Sequence, residues 1–196
     1  MGTSRFATVL FGLMLAVGIA LGGCFSTREP TPPQTGSDFS PPNQPETLLS
    51  NLAAALTKLN VANYERCFAR DNFIFYPDPG VAQNNVGLFS NWTLQPNELD
   101  VLRNFDKEKD GTARNRLSFG NPRTNNINAD SVEYTADYTL TMQHKDSTFQ
   151  VYVFTGNLIF SMKRGTDNEY RITRWRDAKT TATPCWTELK QHFATR

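Results

Sequence analysis

Between Ser131 and His144 the chain alternates without a slip. Val132, Tyr134, Ala136, Tyr138, Leu140 and Met142 fall on one side, and Glu133, Thr135, Asp137, Thr139 and Thr141 on the other. A period of two sends successive side chains to opposite faces of a sheet, so this stretch is a long strand with one core face and one wet face. Lys145-Asp146-Ser147 makes a tight turn. Thr148 to Lys163 then reads as a second long strand, aromatic on both faces around Tyr152 and Phe154, with a bulge or bend at Gly156. The last strand runs from Glu169 to Asp177. Tyr170 and Ile172 share a face and Trp175 breaks the alternation, which predicts a bulge near Thr173. Consecutive strands joined by short turns form an antiparallel meander.

The first half of the folded region has a different period. Leu49, Leu52, Leu56 and Leu59 make a helical stripe, with Pro45 suited to its first turn and Asn60 to its end. Val61, Tyr64 and Phe68 share the face of a second short helix. Asn72 to Tyr76 is a short strand stopped by Pro77-Asp78-Pro79-Gly80. Residues 81–96 are polar and irregular, with Trp92 as the large anchor. Pro96 opens a third helix, Glu98 to about Lys107, that buries Leu99, Leu102 and Phe105. Arg116 to Phe119 is a short strand and Asn121 to Asp130 a polar loop. Thr183-Pro184 caps a C-terminal helix with Trp186, Leu189 and Phe193 on one stripe. Helices and strands are segregated, so the class is α+β: a curved antiparallel sheet against about three N-terminal helices, with a short C-terminal helix.

The N-terminus carries a separate message. Arg5 is followed by an almost unbroken apolar run, Phe6 to Gly23, that ends in Leu21-Gly22-Gly23-Cys24. The run is slightly short of the about 20 residues a membrane span needs, and small residues crowd its end, the layout of a cleaved export signal. It resembles the signal of bacterial lipoproteins, whose box reads Leu-x-Gly-Cys. The resemblance implies cleavage between Gly23 and Cys24, a thioether-linked diacylglycerol on Cys24, and an acyl chain on its freed amine. Phe25 stands where an Asp would favour retention at the inner membrane. The implied location is the bacterial cell envelope, anchored by lipid to the outer membrane and facing the periplasm. Residues 24–45 are then the lipidated cysteine and a Pro/Ser/Thr-rich tether, reaching on the order of 60 Å if extended. The expected organisation is 1–23 signal, 24–45 tether and 46–196 folded domain.

Removing residues 1–23 takes away one of the 20 basic side chains and none of the 19 acidic ones, so the mature chain is neutral. A neutral chain has no net field for nucleic acid, and the expected partner is the membrane through the anchor. Once Cys24 is lipidated, Cys67 and Cys185 remain, and in an oxidising compartment they can pair, with two buried thiols as the alternative. There is no CxxC and no Cys/His cluster, so neither a metal nor a cofactor is expected.

From Pro45 to Phe193 the chain resembles a nuclear transport factor 2-like domain, the cone-shaped fold also called SnoaL-like or ketosteroid-isomerase-like. The residues carrying the likeness are the opening helix, Tyr64, Phe68, Asn72-Phe73-Ile74-Phe75, Tyr170 to Asp177, and Trp186-Thr187-Glu188-Leu189-Lys190. That fold hosts enzymes, adaptors and binding modules, so it does not carry function. Tyr76, Trp92, Tyr134, Tyr138, Tyr152 and Trp175 are the candidate lining of a cone. Asp177 is a weak catalytic candidate against a salt bridge to Arg174 or Arg176. His144 and His192 read as surface residues, and Arg171, Arg174 and Arg176 as rim charges. The leading expectation is a non-enzymatic domain that binds a small apolar ligand or an envelope protein. The alternatives are an isomerase, dehydratase or cyclase using a carboxylate or Tyr in the cone, and a structural subunit that dimerises through the wet face of Ser131–His144. An unpaired Asp177 or Asp137 in an open cone favours the enzyme; a filled cone favours a partner surface.

Overall fold

The chain divides into two units, 1–36 and 37–196, and the computed structural model describes residues 38–111 and 114–195. The signal, Cys24 and the tether up to residue 37 lie outside the described residues. Packing begins before the expected Pro45. Phe39 is buried under the Arg66 guanidinium, 3.8 Å from its ring centre, and the Pro42 carbonyl accepts from the Tyr170 N–H at 2.8 Å.

Helix α1 (Pro45–Lys58) takes Pro in its first turn, and Leu48, Leu49, Leu52, Ala55 and Leu56 form its buried face. Leu59 ends it in the left-handed region, φ 52°. Asn60, expected to terminate this helix, instead caps the next one, α2 (Val61–Arg66), accepting the Asn63 N–H at 3.0 Å. β1 (Ile74–Tyr76) is short, as expected. Asp78 caps a single-turn helix, α3 (Pro79–Ala82), through the Val81 N–H. A wide turn at Leu94–Glu98 leads into α4 (Leu99–Glu108), which buries Leu99, Leu102 and Phe105.

Four long strands follow: β2 (Arg116–Asn128), β3 (Ser131–Thr141), β4 (Val153–Arg164) and β5 (Tyr170–Ala178). The sheet order is β1-β5-β4-β3-β2. The β2–β5 meander is antiparallel, but β1 joins β5 in parallel, so the sheet is mixed. The Asn-rich segment expected to be a loop is instead the outer half of β2. Its backbone pairs with β3 as far as Asn128, past a register shift between Gly120 and Arg123, while its side chains stay exposed. Backbone pairing across a neighbour needs no apolar alternation, which is why the segment reads as a loop. The second strand begins at Val153 rather than Thr148, because Asp146 bonds the Thr148 N–H and hydroxyl and holds the connection as a loop.

The bulge at Thr173 is present. Ile172 pairs with Met162 and Arg174 with Ser161, leaving Thr173 without a partner and turning Trp175 inward. Gly156 is no bulge; its pairing with Tyr138 is regular. A Cβ there would lie 2.6 Å from the Ala178 carbonyl oxygen and 2.8 Å from the Tyr138 hydroxyl, so glycine is needed to let the Tyr138 ring cross the strand. Helix α5 (Trp186–Ala194) closes the chain. Its cap is Cys185 rather than Thr183: the Glu188 carboxylate accepts the Cys185 N–H at 2.6 Å. The inner faces of β3, β4 and β5 pack against α1, α2, α4 and α5 around one core.

Candidate functional site

Two buried polar clusters occupy the inside of the curved sheet. The first is built on Asp177, which β5 turns inward two residues after Trp175. One carboxylate oxygen accepts from the Tyr138 hydroxyl at 2.8 Å. The other accepts from the Thr187 N–H at 2.7 Å and the Thr187 hydroxyl at 2.6 Å. The Tyr138 oxygen accepts the Trp186 N–H at 2.7 Å, and the Thr187 oxygen accepts the Asp78 N–H at 2.9 Å. Asp177 is 1% exposed. Burial is the largest influence on its pKa and raises it above the ordinary carboxyl value, against the bonds from Thr187 and Tyr138. Burial, and then the neighbouring Asp177, likewise raises the Tyr138 hydroxyl. The expected salt bridge to Arg174 or Arg176 does not form, because those residues lie on the opposite face of β5. Asp177 fastens the start of α5 to the sheet.

The second cluster centres on Glu98 and Lys190, which the sequence reading did not single out as a site, and takes in Trp92 and Trp175, which it did. Glu98 ends the wide turn before α4, and Lys190 projects from α5. The Glu98 carboxylate accepts from the Tyr64 hydroxyl at 2.6 Å, the Trp92 indole N–H at 2.8 Å and the Lys190 ammonium at 2.7 Å. Lys190 Nζ also sits 3.3 Å from the Trp175 ring centre and 3.6 Å from that of Phe75. Lys190 and Glu98 are 0% and 1% exposed. Burial pushes the Lys190 ammonium down to about 8, against the pull of Glu98. Burial and then Glu98 hold the Tyr64 hydroxyl well above its ordinary value.

Around these clusters the interior is filled. Trp175 meets Trp186 edge-on at 4.5 Å, and Phe160 and Phe75 each at 5.3 Å. The six proposed lining aromatics therefore do not converge on one cavity. Trp92, Tyr138 and Trp175 are packed core. Tyr134 closes a groove between α1 and β2. Tyr76 is exposed because the alternation of β1 places it off the core face, and Tyr152 is exposed in the connection just before β4, against the His144 ring. Asp137 is also outside, held by the side-chain amides of Asn121 and Asn157, whose hydrogen bonds lower its pKa below the ordinary carboxyl value.

Both histidines depart from the expected surface placement. His144 is buried among Phe105, Phe149, Tyr152 and Phe193, with Nε2 2.9 Å from the Val151 carbonyl and Nδ1 without a partner. His192 stacks on Phe149 at 4.1 Å, with Nε2 2.6 Å from the buried Asp146. Cys67 and Cys185 form no bridge. Each is a free buried thiol pushed up to about 12, chiefly by burial. Cys67 is bound into the end of α2 and points at the Asn63 carbonyl, while Cys185 is engaged as the α5 cap. Among the described residues no group of three His, Cys, Asp or Glu could hold a metal, and no helix is long and apolar enough to cross a membrane.

Open space lies on the outside. A groove of about 480 Å³ runs across the outer face of the sheet, past Ile74, Ile127, Glu133, Ser161 and Arg174, and a smaller one of about 190 Å³ continues it past Tyr76, Ile159 and Arg176. Residues of successive strands meet here in straight rows. One row reads Ile74, Arg174, Ser161, Glu133, Asn125, and the next Tyr76, Arg176, Ile159, Thr135, Arg123.

No family model matches this chain, and no curated protein matches it. Solved structures do. LinA is 14% identical over 71% of this chain and 85% of its own, with a TM-score of 0.52. ActVI-ORFA from Streptomyces coelicolor is 16% identical over 68% and 92%, with a TM-score of 0.51. A protein of unknown function from Mycobacterium tuberculosis is 10% identical over 76% and 93%, with a TM-score of 0.50. At such identities the likeness concerns the fold, which is the nuclear transport factor 2-like one expected from sequence. Chains with this fold include enzymes and proteins of unknown function.

Proposed function

We propose that this chain is a non-catalytic interaction domain, moored by lipid on Cys24 to the periplasmic side of a bacterial outer membrane, whose working surface is the outer face of the sheet. One observation carries the reading: the cone is filled by the chain's own side chains, while the outer face carries apolar and charged side chains together. Ile74 and Tyr76 are 41% and 40% exposed there, beside Arg174 and Arg176. Mixed apolar and arginine-bearing surfaces suit protein contact. The isomerase, dehydratase or cyclase alternative is disfavoured because Asp177 and Tyr138 are spent on holding α5. A small apolar ligand in the cone is disfavoured by the packing of Trp175, Trp186 and Phe160.

The occupant that fits this face is a second copy of the chain. A two-fold axis parallel to β4, between sheets stacked about 10 Å apart, lays β5 of one copy over β3 of the other with rows aligned. Arg174 then faces the copy's Glu133, Tyr76 faces the copy's Arg123, and Ile159 meets itself. The test is the mass of the detergent-solubilised, lipidated full chain by sedimentation. A dimer is expected for the native chain, a monomer for Glu133→Arg or Arg174→Glu, and a restored dimer when both are combined. A native chain that stays monomeric at all concentrations overturns the second-copy reading; photo-crosslinkers at Tyr76 and Ile159 that then capture nothing in the envelope overturn the working surface itself. For the anchor, palmitate labelling and a new N-terminus at Cys24 are expected, both abolished in Cys24→Ser.

A further inference from the structure

The Glu98–Lys190 cluster has a host-and-guest construction. The host is made by the body of the domain: Phe75 from β1, Trp92 and Glu98 from the segment before α4, Trp175 from β5, and Tyr64 from α2, which orients the carboxylate. The guest comes from α5, the last element of the chain. Two aromatic faces within 3.6 Å of a cation, beside a carboxylate at 2.7 Å, make a cation-recognising box independently of which chain supplies the cation.

We propose that Phe75, Trp175 and Glu98, with Trp92 behind them, form a binding site for a primary alkylammonium, and that Lys190 is an internal ligand occupying it. The geometry selects among cations. The 2.7 Å contact to Glu98 is a hydrogen bond, which a primary ammonium donates and a quaternary one cannot. Ring centres at 3.3 and 3.6 Å leave no room for methyl groups on the nitrogen. Helix α5 thus acts as a plug with a cationic tip. Asp177 and Tyr138 hold its first turn, and the Phe193 carbonyl accepts from the Asn104 side-chain amide at 2.9 Å at its end. An external ligand carrying a lysine-like ammonium reaches the cage only by competing with the chain's own helix. This inference is independent of the outer-face reading and survives its failure.

Removing the guest and supplying it from solution tests the idea. In the full chain, Lys190→Ala leaves the cage empty, and methylammonium chloride restores stability in a saturable way. At ten times its dissociation constant the folded-to-unfolded ratio rises about elevenfold. Sodium chloride and tetramethylammonium chloride at equal ionic strength give no such rise, and adding Glu98→Gln removes the response. Lys190→Met, which refills the cage with an apolar side chain, does not respond. If Lys190→Ala is unfolded alone, near-ultraviolet dichroism follows its recovery on the same titration. The proposal is overturned if methylammonium acts no better than sodium, if Lys190→Met responds equally, or if Lys190→Ala stays unfolded at every methylammonium concentration.

Discussion

The two faces of β3, β4 and β5 come from alternating residues of the same strands, yet they are used in opposite ways. On the inner face Trp175, Phe160, Asp177 and Tyr138 are buried and packed, with Asp177 and Tyr138 hydrogen-bonded and the Trp175 indole N–H left without an acceptor. On the outer face, one residue along in each case, Arg174, Arg176, Ser161 and Asp137 border solvent, and neither arginine takes part in a salt bridge described here. In an α+β fold the concave side is where a pocket would be sought. Here that side is filled by packed side chains and paired charges, and the contact surface proposed above lies on the convex side. Inner-face changes should therefore be read in unfolding energies, and outer-face changes in association.

The largest effect is expected at Glu98. Glu98→Ala leaves the Lys190 ammonium, the Tyr64 hydroxyl and the Trp92 N–H without their acceptor in the core, a loss of about 3–5 kcal/mol for breaking a buried pair from one side. Urea denaturation measures it, and a loss under about 1 kcal/mol would mean that the inner face is not the stability face. Next comes pH. The folded chain gives up the Lys190 proton near pH 8, whereas an ordinary lysine keeps it to 10.5. Between these values Lys190 holds its proton in the unfolded chain and not in the folded one, so its contribution to the unfolding energy rises with pH. The buried thiols and tyrosines, raised in the fold, contribute the opposite sign equally in both chains and cancel against a Lys190→Met reference. Relative to Lys190→Met the gain is on the order of 3 kcal/mol across that window. Parallel pH profiles of the two chains would break the assignment. Asp177→Ala should follow at about 2–3 kcal/mol, because it strands the buried donors of Thr187 and Tyr138. Amide exchange should show α5 loosening first; uniform loss of protection would deny Asp177 its role as the fastener of that helix.

Much of this contrast is written in the sequence. The alternation from Val132 to Met142 places each of those residues in the core as observed, and the break at Trp175 marks a real bulge. Glu98 and Lys190 are legible too, once helical spacing is applied to charges. Lys190 stands four residues after Trp186 and three before Phe193, on the buried stripe of α5. Glu98 stands four before Leu102. A charge on an apolar stripe signals a buried pair, but spacing within each helix says nothing about which two charges meet across 92 positions. The structural role expected of Asp177 is given the wrong partners for a related reason: Tyr138 and Thr187 are fixed by the sheet register and the docking of α5, both of which are tertiary. The outer half of β2 is missed because its strand character resides in backbone pairing, with Asn side chains that favour loops.

The smallest expected effects are on the outer face. Arg174→Glu should leave unfolding energy within about 0.5 kcal/mol of the native chain while changing self-association, the reverse of what Glu98→Ala does; if it unfolds the domain, the division between faces is wrong. Beside it on β5, Arg171 makes a two-oxygen contact with Asp167, at 3.0 and 2.6 Å, and a further contact with Glu169 at 3.1 Å. The Arg171 guanidinium holds the Asp167 carboxyl down to about 2, from the ordinary 3.8. A carboxyl lowered in the fold contributes stability that is present above the ordinary value and lost as the pH falls through the folded one. Any contribution of this pair therefore disappears between about pH 4 and pH 2, and it is small because both partners are solvated. In Arg171→Ala the Asp167 carboxyl resonance should titrate close to 3.8 with the midpoint of urea unfolding at pH 7 little changed. A resonance that still titrates near 2 would assign the lowering to the Glu169 N–H that also donates to Asp167, and would remove Arg171 from the charges that organise this face.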